Sequence, residues 1–352
     1  RRLKQILLND ENIELKLLVR NKKSVSSLNE NAQIIEGDTF NKESLKEALK
    51  DVEVAYYLIH SLSNENYKDL DKISAQNFLD VAAQCGVKRI IYLGGLGVKD
   101  ENTSEHLLSR IETGEILSSN KNVQTIWLRA GVIIGSGSAS FEIIRNLTEK
   151  LPIMTTPKWV NTKAQPIAVT DVLSYLHKSL YLDVKENLIV DIGSEQLSYK
   201  NMMLKTAKVL GLKRILITLP FMSINLSSYW LNLFTPVPYA VAKALVEGLK
   251  SEVIIQNDHA KKYFPNIFPI SYEDAVANAI KEIEENQVIS RWNDKADDVW
   301  EKNSQNELSK AKMPIYTITN GEQQIVFHAM SHIGSENFYT QVKESIKKHK
   351  EN

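Results

Sequence analysis

The chain has 352 residues, with 43 Lys and Arg against 43 Asp and Glu, and it is 43% hydrophobic and 24% charged, as expected of a folded globular protein. That balance gives no electrostatic footprint for nucleic acid or an anionic membrane. The lone cysteine, Cys85, excludes an internal disulfide or a multi-cysteine metal site and fits a cytoplasmic setting. No secretory signal is visible, and no run of about 18 apolar residues predicts a transmembrane helix. The most apolar region, residues 216–249, is broken by Pro220, Ser223, Asn225, Asn232, Pro236 and Pro238. It reads as buried helices and loops, with peripheral contact to a membrane surface as the alternative.

The chain opens in a helical pattern, with Leu3, Ile6 and Leu7 on one face. Strands are predicted at 15–19, 32–35, 52–59, 89–93 and 123–128. Helices are predicted between them at 41–49, with Asn41 as N-cap, at 67–85, ending at Gly86, and at 104–119. The run VEVAYYLI at 52–59 suits a parallel strand buried on both faces. This alternation predicts a doubly wound α/β fold, a parallel sheet with helices on both faces. Further helices are expected at 141–150, 169–180 (with Thr170 as N-cap), 199–210 and 272–285, and strands at 188–192 and 215–219. Residues 151–165 read as a Pro- and Thr-rich loop. Residues 286–312 read as a polar linker, and Asn320-Gly321 between two strand-like runs signals a hairpin.

In a parallel sheet, nucleotides bind at the carboxyl ends of the strands. Arg20 follows the 15–19 strand, supported by Lys22 or Lys23, with Asn21 a further candidate contact. An acidic residue there would accept from the 2′-hydroxyl of NAD, whereas arginine pairs with a 2′-phosphate, so NADP is the expected cofactor and NAD the alternative. Asp38 and Thr39 follow the second strand; Asp38 is either an adenine contact or a turn residue. Leu58, Ile59 and His60 end the third strand and Gly94 and Gly95 the fourth, where small residues let a ligand approach backbone. Arg129, Ala130 and Gly131 end the fifth as a cofactor wall, with a structural role for Arg129 equally open. Trp159, Phe141, Tyr175 and Trp230 suit an apolar pocket or, more commonly, a core.

The succession of VR at Arg20, GD at Asp38, YYLIHS at 56–61, LRAGVIIGSGSASFE at 128–142 and PKWVNTKAQPIAVTDVLSYL at 157–176 resembles an atypical short-chain dehydrogenase/reductase. More narrowly, it resembles the bacterial NmrA-like and epimerase/dehydratase-like proteins with a C-terminal START-like domain. The likeness covers residues 1–285 and implies a Rossmann domain at 1–150, an interleaved substrate-side region at 151–285, and a linker with a partial C-terminal domain at 286–352. It also implies a dinucleotide and a small-molecule substrate as ligands.

Two departures stand out. Such proteins begin with a strand and a GxxGxxG turn, and Arg1-Arg2-Leu3 would align just after its last glycine, so the first strand and turn are expected to precede the sequence given. Where their reductases carry a YxxxK pair, this chain has His106 and Arg110, spaced i, i+4. The resemblance makes His106 the candidate proton donor and Arg110 the ribose clamp; an ordinary helix face is the competing reading. Function is therefore expected to be that of an NAD(P)(H)-dependent oxidoreductase or isomerase without the tyrosine–lysine pair, or of an inactive NADP(H)-binding sensor or assembly factor. A lipid or quinone carrier would need a complete barrel from the C-terminal piece. No histidine pair has metal-ligand spacing.

Overall fold

The computed structural model describes residues 1–22, 32–59, 67–101, 103–219, 247–248 and 251–288, and short strands between residues 301 and 328. The chain divides into a unit spanning Arg1–Asn293 and a second spanning Asp294–Asn352.

The first unit opens with α1 (Arg2–Leu8), whose Leu3 and Leu7 are buried as the apolar spacing predicts. Strands β1 (Leu15–Val19) and β2 (Ala32–Glu36) pair in parallel. Helix α2 (Lys42–Leu49) is capped by the Asn41 side chain, which accepts the Glu43 and Ser44 N–H groups. Next come β3 (Val54–Tyr57), α3 (Tyr67–Gln84), β4 (Arg89–Gly95), α4 (Glu105–Leu117) and β5 (Gln124–Ala130). Gly86 closes α3 at φ +75°, a conformation that favours glycine. Together with β10 (Leu188–Ile192), the strands form a parallel sheet in the order β10-β5-β4-β3.

Two cores sandwich this sheet. On one face Tyr57, Ile90, Tyr92 and Trp127 meet Leu45, Phe78, Leu79 and Leu107 from α2, α3 and α4. On the other, Ile91, Ile126, Leu128 and Val190 meet Leu3, Leu7, Val172 and Tyr175. Both faces are covered by helices, so the fold is doubly wound α/β. The third strand is shorter than 52–59: Ala55 and Tyr57 are buried, Val54 and Tyr56 only half so, and Leu58 and Ile59 lie beyond its end. As the edge of its sheet, β3 is covered unequally.

The chain continues through β6 (Ile133–Ile134), α5 (Ala139–Lys150), β7 (Ile153–Pro157), a 3-10 turn at Lys158–Asn161, β8 (Lys163–Ala164), β9 (Ile167–Ala168) and α6 (Val169–Lys178). After β10 come β11 (Leu197–Ser198), α7 (Tyr199–Val209), β12 (Ile215–Leu219), α8 (His259–Tyr263) and α9 (Tyr272–Glu284). A third core gathers Phe141, Met154, Val160, Met202, Tyr272 and Val276. Two expectations are corrected here. Residues 151–165 are not a loop: β7 pairs in parallel with β12, and β8 pairs with β11. The partners lie tens of residues away, so local Pro and Thr content conceals the strands. Thr170 does not cap α6: Ala168 holds that position with no side-chain bond, because β9 runs directly into the helix.

In the second unit β13 (Glu301–Lys302) and β14 (Leu308–Lys310) pair antiparallel. So do β15 (Ile315–Thr319) and β16 (Gln324–His328), with Thr319 opposite Gln324. Asn320 and Gly321 lie outside the described residues, as do Trp230, Trp292 and Trp300.

Candidate functional site

The candidate residues stand at the carboxyl ends of parallel strands, as the topology dictates. Arg20, Asn21 and Lys22 follow β1, Asp38 and Thr39 follow β2, and Leu58 and Ile59 follow β3. Gly94 and Gly95 end β4, and Arg129 and Ala130 end β5 with Gly131 next. Lys23 and His60 lie outside the described residues. The ends differ in what their side chains do.

At β1, Arg20 is exposed, and its guanidinium has no ion-pair or hydrogen-bond partner among the described residues. The Lys22 backbone N–H donates to Glu36 Oε2 at 3.0 Å. At β2, Asp38 forms a turn: its Oδ1 accepts the Phe40 N–H at 3.0 Å, while the Ser44 hydroxyl accepts the Asp38 N–H at 3.1 Å. Thr39 faces inward. Its hydroxyl accepts from Ser74 Oγ at 2.7 Å, and Ser74 is 2.8 Å from the Tyr57 hydroxyl. Burial pushes the Tyr57 hydroxyl above its ordinary range. At β3, Leu58 and Ile59 are 46% and 36% exposed, an apolar ledge at the strand end.

The glycines are filled by protein. A Cβ on Gly94 would sit 2.4 Å from Trp127 Nε1, one on Gly95 2.7 Å from Leu107 Cδ1, and one on Gly131 2.8 Å from Val253 Cγ1. Their smallness lets α4, Trp127 and the 253 segment pack closely. Arg129 is engaged as well: Nε donates to Asp191 Oδ1 at 2.6 Å and Nη2 to Oδ2 at 3.0 Å. Asp191 is wholly buried and also accepts the Gln256 N–H at 2.7 Å. Arg129 is thus a structural clamp between β5 and β10.

His106 and Arg110 stand one turn apart on α4, both half-buried. Arg110 Nη2 donates to the Leu93 carbonyl, and Nη1 to the Ile59 carbonyl at 3.4 Å. Its guanidinium carbon lies 5.3 Å from the centre of the Tyr92 ring. The Tyr92 hydroxyl donates to the Arg110 carbonyl at 2.9 Å, and burial pushes Tyr92 up to about 12. Arg110 therefore ties the ends of β3 and β4 together. At the position just before Arg110, Ser109 Oγ donates to the buried Asp71 at 3.1 Å. Sequence reading missed Asp71, Ser74 and Asp191, because nothing local marks a residue whose partner lies tens of positions away.

The family profile described as NAD(P)H-binding matches residues 1–130. This part of the chain is an NAD(P)H-binding domain. No curated protein matches the sequence. Among solved structures, the NADP(H)-bound triphenylmethane reductase of Citrobacter sp. is 19% identical with TM-score 0.63, over 79% of this chain and 94% of its own. The NADPH-bound quinone oxidoreductase of Escherichia coli is 15% identical with TM-score 0.62, over 79% and 95%. A nucleoside-diphosphate-sugar epimerase of Staphylococcus aureus is 14% identical with TM-score 0.63, over 78% and 94%. At such identities these likenesses establish the α/β fold alone.

Beyond the NAD(P)H-binding domain, an open recess of about 510 Å³ begins just past the end of β10. Gly193, Glu195, Lys205, Ile270 and Glu273 line it. Lys205 Nζ donates to Glu273 at 2.6 Å and to Glu195 at 3.2 Å, and the Glu273 bond raises the lysine above its ordinary value. One cation between two carboxylates leaves the recess net acidic. Among the described residues no helix is long and apolar enough to cross a membrane, and no His, Cys, Asp and Glu cluster could hold a metal ion.

Proposed function

We propose that the chain is an NADP(H)-dependent oxidoreductase or isomerase of atypical mechanism. The observation that carries this reading is Arg20, an exposed guanidinium at the end of β1 inside the stretch that matches the NAD(P)H-binding profile. The residues at β1–β3 fit the adenosine end of a dinucleotide: Arg20 for the 2′-phosphate, with Leu58 and Ile59 as an apolar rest for a ring. The glycines at β4 and β5 do not form an open cradle, since side chains already occupy their Cβ positions. The cofactor, when bound, supplies or takes a hydride. His106 would give or take the matching proton, and Arg110 would hold the backbone ends of β3 and β4 in register. Cytoplasmic residence belongs to this reading.

Titration of the full chain with NADPH and NADH tests it. NADPH should bind more tightly, and Arg20→Glu should reverse the preference; equal affinities before and after the change would overturn the Arg20 assignment. A second reading, a cofactor-binding sensor without turnover, is favoured by Arg110, whose guanidinium is already engaged with the Leu93 and Ile59 carbonyls. NADPH oxidation assayed with quinones and triarylmethane dyes separates the two. Turnover abolished by His106→Ala supports catalysis; turnover unaffected by it removes His106 from the mechanism.

We also propose that residues 313–352 belong to a START-like domain, a reading with which the antiparallel pairing of β15 with β16 agrees. Binding of a fluorescent fatty acid to the full chain, lost on deleting these residues, is the check.

A further inference from the structure

The turn that follows β2 starts beside the end of β1. Glu36, the last residue of β2, lies opposite Val19, and the Gly37 N–H donates to the Val19 carbonyl at 2.9 Å. Inside the turn the bonds are local. The Asn41 N–H donates to the Asp38 carbonyl at 3.0 Å, and Asp38 Oδ1 holds the Phe40 N–H. Helix α2 grows out of the same turn, with Asn41 as its cap and the Ser44 hydroxyl on the Asp38 N–H. Bonds of this range set the shape of a turn, but they do not fix where it stands against the other strand ends.

Helix α3 supplies the longer-range constraint. Asn77 Nδ2 donates to the Thr39 carbonyl at 3.0 Å, and Ser74 Oγ donates to the Thr39 hydroxyl at 2.7 Å. Thr39 is thus gripped at its main chain and its side chain together. Ser74 has a single proton and gives it to Thr39, so in the 2.8 Å contact with Tyr57 the phenol is the donor. Tyr57 is the last residue of β3, and the exposed Leu58 and Ile59 follow it. All three hydroxyl residues are buried, and a buried polar chain with its partners in place rigidifies the segments it joins. Strands β2 and β3 belong to different sheets, so strand pairing does not couple their ends. Helix α3 couples them across that break.

We infer that Ser74 and Asn77 are positioning residues for the adenosine half of the dinucleotide, an inference that rests on the reading of the β1–β3 ends as the adenosine seat. They act through Thr39 rather than on the ligand. By fixing the Thr39 main chain they set the turn that carries Asp38 beside the β1 end that carries Arg20. Through Tyr57 the same helix ties that turn to the β3 end that carries Leu58 and Ile59. A seat assembled before the cofactor arrives spares binding the cost of ordering its parts. Helix α2 cannot serve in this way, because its first turn is built on the segment that needs to be held.

The experiment is calorimetric titration of the full chain with NADPH and with adenosine 2′,5′-bisphosphate, which has the adenosine end and the 2′-phosphate but no nicotinamide. Asn77 is only half-buried, so Asn77→Ala keeps the fold. It should weaken both ligands alike, by about three- to tenfold, the value of one neutral hydrogen bond. Ser74→Ala, which breaks the chain between Thr39 and Tyr57, should act in the same direction. Gln76→Ala lies on the same helix, but its side chain meets Asp80 on the surface, and it should change neither affinity. A urea midpoint is recorded for each variant. A lower midpoint with both affinities at the wild-type value marks a merely structural role and overturns the proposal. So does a loss confined to NADPH, which would place the effect at the nicotinamide half. A wild type that binds neither ligand removes the adenosine seat and the positioning role with it. A wild type that binds both, with variants that bind as well, removes the positioning role alone.

Discussion

Arg20 and Arg129 occupy matching places, each at the carboxyl end of a parallel strand, and the fold uses them in opposite ways. Arg20 ends the β1 side exposed, with no ion-pair partner among the described residues. Arg129 ends β5 only 15% exposed, in a two-pronged bond with a carboxylate that is wholly buried. The difference is the neighbouring strand: β10 pairs with β5 in a register that sets Asp191 beside Arg129. An arginine at a strand end is thus a clamp where the register sets a buried carboxylate directly beside it, and a candidate ligand group where the neighbouring carboxylate, here Glu36 at the end of β2, is exposed and accepts from a backbone N–H instead.

The comparison can be broken most sharply at the clamp. Arg129→Ala leaves the Asp191 carboxylate buried without its countercharge, a loss of about 3–5 kcal/mol that a urea denaturation midpoint should record. Arg20→Ala should stay within roughly 0.5 kcal/mol of wild type in the same measurement. An equal loss at both sites would erase the distinction. For Arg20 the effect belongs in binding: a charge-assisted contact of about 1.5–3 kcal/mol means roughly 10- to 100-fold in NADPH affinity, read by titration of Arg20→Glu against NADPH and NADH.

A packing change sharpens the view of the β4–β5 end as filled rather than open. A Cβ on Gly114 would lie 2.3 Å from the Trp127 ring, which itself fills the space at Gly94. Gly114→Ala should therefore cost about 1–3 kcal/mol in unfolding experiments. No loss would show that the indole has room to move and that the strand end can open.

The smallest effect lies where α1 meets α6. Asp10 Oδ2 accepts from the Tyr181 hydroxyl at 2.6 Å and from His177 Nε2 at 2.8 Å. The bond to Asp10 pushes Tyr181 up to about 12, and the Tyr181 and His177 bonds hold the Asp10 carboxyl well below the carboxylate range. Because the folded value is the lower one, the stabilisation from Asp10 is present above about pH 4 and is lost as pH falls through the folded value. Wild type and Asp10→Asn should therefore converge in stability in acid. In the variant, Tyr181 should titrate nearer 10, as followed by ultraviolet absorbance. A Tyr181 titration unmoved by the substitution would show that Asp10 is not its controlling partner.

Much of the sheet was legible because its signals are local. The spacing of Leu3 and Leu7, the Asn41 cap, the glycines after α3 and α7 and the apolar run of β10 each act within a few residues. The strand ends that could meet a cofactor followed from that alternation. Other features were not legible, because their causes are distant. Strand β7 exists through β12, about sixty positions on, and Thr39 turned inward because Ser74 from α3 reaches its hydroxyl.

Taken alone, the sequence determined the order of strands and helices, the parallel sheet and the residues that stand at its strand ends, since periodicity, caps and turn residues work through neighbours in the chain. Only the tertiary structure decided which of those positions keep their polar groups available. Hydrogen bonds and ion pairs such as Arg129 with Asp191, or Arg110 with the Leu93 and Ile59 carbonyls, depend on strand register and helix packing that bring distant residues to within about 3 Å.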